Sequence, residues 1–381
     1  MKALVSAIAL AALSVALPAS AQTSGHLMYL GTLDKKLLVI DEDKEEVVGE
    51  IPMGGVPRIT ALSADKKQLY VIDTRMNMET VDLESRKATS LLNLSDGRSR
   101  PDVFGFTPDL LNPGSYDFDG FSGLAVDPTG HFLYSSMRVT VKDLDEYRIE
   151  PMKFVAIDLR TKAIAKTFLF PKELDQGFGP LASFKVSPDG KSLFVFGKDV
   201  LIYDLDTFTQ VGKINLSKPS YPGASPLRLN AGDDPYDDPT KVTSLFTAVD
   251  PIVHKGTLGL ATLNLKTHEV NYTPLVPALP MMGFMVTPDR KLGYSVMFNY
   301  AGGSRRTEWW VWDLSTHQLL KTQAFESRPT FKFGISSDGK KLYLYGSGST
   351  LEIYDAATLA SRKLMYLNRD ITTNLITLPR N

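Results

Sequence analysis

Short apolar blocks separated by polar punctuation run through this chain, and the punctuation repeats. Two residues, mostly apolar, followed by Asp or Asn occur seven times: Val39-Ile40-Asp41, Thr80-Val81-Asp82, Ala156-Ile157-Asp158, Ile202-Tyr203-Asp204, Thr262-Leu263-Asn264, Val311-Trp312-Asp313 and Ile353-Tyr354-Asp355. Thr161, Thr207, Thr267, Thr316 and Thr358 stand three positions later in five copies, and Ser85 in a sixth. An Asp or Asn side chain at the first position of a turn accepts backbone N–H groups further along, so each motif ends a strand and starts a hairpin. A second signature precedes most copies. Its cleanest form is Ser187-Pro188-Asp189-Gly190-Lys191, with relatives at Asp127-Pro128-Thr129-Gly130, Thr287-Pro288-Asp289-Arg290, Ser336-Ser337-Asp338-Gly339 and Ser63-Ala64-Asp65-Lys66. Apolar strand patterns flank it on both sides, as in Leu342-Tyr343-Leu344-Tyr345. Gly at the turn supplies positive φ without steric cost.

Each unit therefore reads strand, turn, strand, loop, strand, Asp turn, strand. Four antiparallel strands repeated seven times predict an all-β, seven-bladed β-propeller as one domain over residues 22–381. Helical periodicity is absent from that stretch. The first unit opens at its second strand, His26 to Gly31, and the last is complete by about Leu367. The left-over pattern Ile371 to Leu378 is expected to enter the first blade as its missing inner strand and close the ring. Closure of that kind removes two open sheet edges.

The Asp positions lie 41 residues apart between Asp41 and Asp82 and 42 apart between Asp313 and Asp355, which is a bare blade. Longer intervals elsewhere mark insertions at Ser95–Gly120, Ser135–Lys153, Ser217–Lys241 and Asn299–Thr307. These fall in connections between second and third strands, or from one blade's outer strand to the next blade. Both kinds emerge on one side of a propeller, so one face is expected to be elaborated and the other plain. Partners or ligands belong on the elaborated face.

The N-terminus sets the expected compartment. Lys2, the apolar run Leu4 to Leu17 and the small residues Ala19-Ser20-Ala21 read as a signal peptide over residues 1–21, cleaved before Gln22. The mature chain is then periplasmic or secreted, with an uncleaved anchor as the alternative. Lys plus Arg number 42 against 43 Asp plus Glu, so no net field recruits nucleic acid. Cys is absent, which excludes a C-x-x-C-H haem site, a cysteine nucleophile and a cysteine-derived quinone in this chain.

Candidate chemistry is sparse. The densest carboxylates are Asp117 and Asp119, within Tyr116-Asp117-Phe118-Asp119, and Asp233-Asp234-Pro235-Tyr236-Asp237-Asp238. Oxygen ligands so spaced could hold calcium, but neither run forms the full twelve-residue loop, and solvated turns are the favoured reading with no metal. The five His residues are scattered, and no G-x-S-x-G elbow occurs. Gly177-Phe178-Gly179-Pro180-Leu181-Ala182 runs into a strand pattern rather than a helix, unlike a dinucleotide site. Trp310 and Trp312 are expected on one sheet face and Trp309 on the other, with Met281-Met282 opening the sixth blade's inner strand. No catalytic residue is assigned. The residues expected to meet a partner or ligand on the elaborated face are Tyr116, Asp117, Phe118, Asp119, Tyr147, Arg148, Tyr221 and Tyr236.

Leu69-Tyr70-Val71 and Ser187-Pro188-Asp189-Gly190-Lys191 resemble YVTN-type propellers. More narrowly, the whole mature chain resembles the β subunit of quinohemoprotein amine dehydrogenase. That resemblance rests on Lys36-Leu37-Leu38-Val39-Ile40-Asp41, the hairpin from Arg138 to Asp158, the approach to Pro251, and Tyr354-Asp355-Ala356-Ala357-Thr358-Leu359. It implies a periplasmic complex that oxidatively deaminates primary amines. In such a complex a small subunit carries cysteine tryptophylquinone, another carries c-type haem, and the propeller seats the small subunit and walls its active site. Neither cofactor belongs to this chain. The alternative is a stand-alone YVTN-type propeller, acting as a binding module or a hydrolase sited in its channel.

Overall fold

A computed structural model describes residues 26–378 except 75–76, 94–98, 104–123, 143–146, 150, 170–182, 228, 230–238, 251, 277–280, 300–305, 327–330 and 347. The described residues form seven antiparallel sheets, arranged as the blades of a β-propeller, and no helix. Blade 1 holds β1 (Leu27–Thr32), β2 (Lys36–Asp41) and β3 (Glu46–Pro52). Blade 2 holds β4 (Pro57–Leu62), β5 (Gln68–Asp73), β6 (Asn77–Asp82) and β7 (Lys87–Asn93). After β8 (Ser99–Val103), blade 3 comprises β9 (Leu124–Val126), β10 (Phe132–Lys142), β11 (Tyr147–Ile149), β12 (Lys153–Asp158) and β13 (Ala163–Leu169). Blade 4 follows as β14 (Ser183–Val186), β15 (Ser192–Phe196), β16 (Val200–Asp204) and β17 (Gln210–Ile214). Blade 5 shows three strands among the described residues: β18 (Lys241–Val249), β19 (Gly256–Asn264) and β20 (Val270–Val276). Blade 6 is β21 (Met281–Val286), β22 (Leu292–Asn299), β23 (Arg306–Asp313) and β24 (Gln318–Phe325). Blade 7 is β25 (Lys332–Ile335), β26 (Lys341–Tyr345), β27 (Thr350–Asp355) and β28 (Ser361–Tyr366), and β29 (Ile376–Thr377) is the last strand among the described residues.

The turns take the shapes their residues dictate. Asp158 Oδ1 accepts the N–H groups of Arg160 and Thr161, each at 2.8 Å, and Asp204, Asn264 and Asp313 repeat the pattern. The fourth residue after every motif Asp or Asn, from Glu45 to Leu359, has positive φ, and none of the seven is Gly. At the other turn, Gly130, Gly190 and Gly339 have φ of 71–72°, while Lys66 and Arg290 adopt the same region without being glycine.

Burial explains the apolar blocks. In β2, β5 and β26 every residue after the first is buried, on both faces, because each blade is sandwiched between two others. The outer strands β13, β24 and β28 are largely exposed. Core clusters join blades 1 and 2, 2 and 3, 3 and 4, 4 and 5, 6 and 7, and 7 and 1. Between blades 5 and 6, β18 lies against β21 and β20 against β24. Trp310 and Trp312 share a sheet face, with ring centroids 5.7 Å apart, and Trp309 on the opposite face meets Phe325 and Phe333 of the next interface.

The C-terminus closes the ring, through a shorter strand than the sequence pattern suggests. Only Ile376 and Thr377 form regular pairs, with Tyr29 and Met28. Residues 371–375 dock instead by individual bonds: Thr372 N–H to Gly31 O, Gly31 N–H to Thr373 Oγ1 at 2.8 Å, and Leu375 N–H to Tyr345 Oη at 3.0 Å. A Cβ on Gly31 would lie 2.4 Å from Thr373 Cγ2, so glycine is what lets the segment approach. Ionic contacts guard the same joint at both ends. On one side the buried Glu42 carboxylate accepts the N–H and hydroxyl of Ser337, and Lys341 Nζ lies 2.9 Å from Glu45 Oε1. On the other, Arg369 pairs with Glu50 and, at 3.0 Å, with Asp34, while Lys36 Nζ meets Glu50 at 2.5 Å.

Candidate partner-binding face

Because strands alternate direction within every blade, the connections between second and third strands leave the ring on the same side as the links between blades. Two of the insertions on that side interlock. Strand β10 runs five residues past Met137, the last residue it pairs with β12. Its extension, residues 140–142, turns back through β11, with Val141 opposite Arg148 and Lys142 opposite Tyr147. The linker from blade 2 supplies β8 to the other edge, from Met137 opposite Val103 to Val141 opposite Ser99. A small three-stranded platform thus rises from blade 3, built from chain segments that are 34 residues apart at their closest pairing, Met137 with Val103.

A second projection stands on blade 5. Strands β18 and β19 have nine residues each and stay paired to Val249 opposite Gly256. The link from blade 4 braces this hairpin: Ala224 bridges Ala248, Ser225 N–H bonds Thr247 O, and Val249 N–H bonds Gly223 O, the two last at 2.9 Å. Tyr221 anchors the brace. Its half-buried ring lies edge-on to Phe246 at 5.1 Å and tilted against Tyr272 at 5.6 Å. Gly259 permits the packing, since a Cβ there would come within 2.5 Å of the Phe246 ring. At the tip, Asp250 Oδ1 accepts the N–H groups of Ile252 and Val253, both at 2.8 Å, and these bonds lower the Asp250 carboxyl below its ordinary pKa.

Between blades 1 and 2 the same side holds two buried carboxylates. Asp73 ends β5 and accepts the N–H of Asn77 at 2.9 Å and its side-chain amide at 3.2 Å. Glu79 on β6 accepts the Gly54 N–H at 2.9 Å. Burial pushes the Glu79 carboxyl above its ordinary range, the Gly54 bond opposes that, and the negative charge of Asp73 adds to the rise. The Gly54-Gly55 step is obligatory here, because a Cβ on Gly55 would fall 2.0 Å from Asp73 Oδ2. Sequence reading passed over this pair. Its signal is a carboxylate closing the apolar run Leu69-Tyr70-Val71-Ile72, and another between Met78 and Thr80.

The residues singled out from sequence divide into three groups. Tyr147 and Arg148 lie on β11, in the platform. Tyr221 lies in the brace, some of its ring committed to blade 5. Tyr116, Asp117, Phe118, Asp119 and Tyr236 lie outside the described residues, as does the acidic run around Asp233. Among the described residues, no three or more His, Asp or Glu side chains gather as metal ligands, and no helix is long and apolar enough to cross a membrane. With no Cys, the chain has no residue from which thioether-linked haem or cysteine tryptophylquinone could be built.

No family model matches this chain, and no curated protein matches it in sequence. Solved structures do. Dihydro-heme d1 dehydrogenase NirN in complex with DHE is 15% identical with a TM-score of 0.50, over 95% of this chain and 78% of that one. A functionally unknown protein from Desulfotomaculum acetoxidans DSM 771 is 10% identical with a TM-score of 0.53, over 94% of this chain and 100% of the other. Kuenenia stuttgartiensis hydrazine synthase is 14% identical with a TM-score of 0.43, over 84% and 86%. At such identities the likeness speaks for the fold and is silent on chemistry.

Proposed function

We propose that this propeller is a non-catalytic subunit that seats a small quinone-bearing subunit on its elaborated face, in a periplasmic amine dehydrogenase-like complex. One observation carries the reading: two separate insertions pair with each other as β8, β10 and β11, and so build a platform outside the ring. A solvated loop needs no such order, whereas a docking surface gains affinity from being formed beforehand. The resemblance to the amine dehydrogenase β subunit supplies the identity of the partner. The division of labour agrees with it, because quinone and haem would both sit in other chains and this one would position the quinone subunit and shield the reacting amine from water.

The test is isolation of the full chain from periplasm under mild conditions, with quinone staining and haem absorbance of whatever accompanies it. Alanine at both Tyr147 and Arg148 is expected to release the small subunit and abolish amine-dependent dye reduction while leaving the propeller folded, since aromatic and Arg side chains dominate such contacts. Alanine at Lys191 and Lys340 on the plain face should change neither. Turnover of an amine by the purified chain alone would overturn the proposal. A second reading, a stand-alone propeller with its own site, draws on the buried pair of Asp73 and Glu79, since burial raises the Glu79 carboxyl and suits that group to acid–base work. Its mark would be a hydrolysis by the isolated chain that Glu79→Gln removes.

A further inference from the structure

We propose that the β18–β19 hairpin is a docking finger that inserts Ile252 and Val253 into an apolar socket of the small protein subunit on the elaborated face. The proposal rests on the seating reading above and adds where the anchor lies. Its ground is a comparison internal to the molecule. The tip is an eighth copy of the Asp turn: Asp250 Oδ1 takes the N–H groups two and three residues on, His254 N–H bonds Asp250 O at 3.0 Å, and His254 has the positive φ of 55° that the fourth residue has elsewhere. In the seven copies on the plain face, the second and third residues are chiefly polar, as in Arg160-Thr161, Asp206-Thr207 and Lys266-Thr267, and none is Val, Leu or Ile. Here they are Ile and Val, 83% and 69% exposed, with Val249 beside them at 48%. The turn's own geometry thus has no use for aliphatic side chains at these positions, and holding them in water is unfavourable.

The shape and charge of the tip select among occupants. The Tyr221 brace fixes the hairpin, so little conformational freedom is lost when the tip is bound. Two branched side chains on one turn form a knob, and a knob requires a recess. A second copy of the finger would offer another knob, whereas a two-fold contact needs a self-complementary patch. A lipid surface is favoured by a broad apolar face with an excess of cations. Around this tip Asp250 stands against His254 and Lys255, without such an excess. A protein with an apolar recess fits, and the finger rises on the same side of the ring as the β8–β10–β11 platform.

The test writes a plain-face turn into the finger. Ile252→Lys with Val253→Thr reproduces the pair at Lys266-Thr267, so the turn is kept. The full chain carrying both changes is expected to retain its melting behaviour and to bind the quinone-staining subunit at least tenfold more weakly. The reverse exchange on the plain face, Lys266→Ile with Thr267→Val, should leave binding unchanged. A benzophenone side chain at position 252 of an otherwise unaltered chain should crosslink to that subunit, which covers the case of a variant that fails to fold. Wild-type affinity in the finger variant, or no crosslink within an intact complex, would overturn the finger and leave the seating reading standing. A wild-type chain that retains no quinone-staining subunit would bring down both. Loss of flotation with phosphatidylethanolamine–phosphatidylglycerol vesicles would assign the tip to lipid, and loss of a concentration-dependent dimer to a second copy. Either would refute the proposal.

Discussion

At Lys162 the chain holds an exposed lysine with φ of 56°, a conformation in which a Cβ crowds the backbone. Its equivalents are Glu45, Arg86, Phe208, His268, His317 and Leu359, so the strain is a property of the turn and not of one site. Lys162→Gly should relieve it, and after the entropy of the added freedom is subtracted the gain is about 0.5–1 kcal/mol. A shift in the midpoint of chemical denaturation checks this. The first residue of the same turn bears on acid stability. At Asp313 the Ser315 hydroxyl and the N–H groups of Thr316 and Ser315 lower the carboxyl from 3.8 to about 2. A depressed folded value means that the turn's contribution is complete above the unfolded value near 3.8 and is lost as pH falls through about 2. An NMR titration of the Asp313 carboxyl should show that low midpoint, and a midpoint near 4 would mean the turn bonds do not form in solution.

Among the elements, the closing segment depends on a single atom's absence. Gly31→Ala would place a methyl against Thr373 and, at 2.9 Å, against Pro57 Cβ, so a loss of about 1–3 kcal/mol is expected. Hydrogen exchange should quicken first at Thr372 and Leu375, whose N–H groups are bonded across the joint. How much of this could be read from sequence follows from distance along the chain. Asp turns, Pro-Asp-Gly turns and strand order are set by residues within a few positions of one another, so Asp158 or Ser187 declares its role locally. Gly31 does not, because its constraint comes from Thr373, 342 residues away. The same holds for the site. The platform's existence could be guessed from the long interval between Asp82 and Asp158, but the pairing of Val139 with Pro101 could not. Glu79 stayed hidden because its partner, Gly54, lies on another blade's exit. Nothing local marks Ile252 and Val253 in the sequence, and it is their exposure in the structure that sets them apart from the other turns.

For the molecule as a whole, the joint between blades 7 and 1 concentrates the risk. Removing residues 371–381 takes away β29, the Thr373 bond and the Leu375 bond together and uncovers an edge of β1. The truncated chain is expected to be protease-labile or insoluble, and one that melts like the full chain would refute closure by this segment. The ionic contacts give the joint a further signature. Hydrogen bonds from Lys36 and then Arg369 hold Glu50 below its ordinary range. At Asp34 burial acts upward but is outweighed by the Thr32 hydroxyl, Arg369 and Lys36. Both carboxyls therefore support the folded ring above their unfolded pKa values and cease to as pH falls through the folded ones. Salt screens such exposed pairs, so exchange at the joint should rise with ionic strength more than exchange within blade 4.

The bond between Gly31 and Thr373 also sets a schedule. A ribosome delivers the first blade early and its inner strand last, so Tyr29 and Met28 wait for partners that do not yet exist while six further blades are made. Blades can form in order, but the circle cannot be completed until the final residues are free to reach back. Contacts so far apart in sequence are slow to find each other, and an unfinished edge is exposed to aggregation for the whole interval. Without residues 371–377 that edge is expected to stay open, so the first blade is finished only by a segment made after all seven blades.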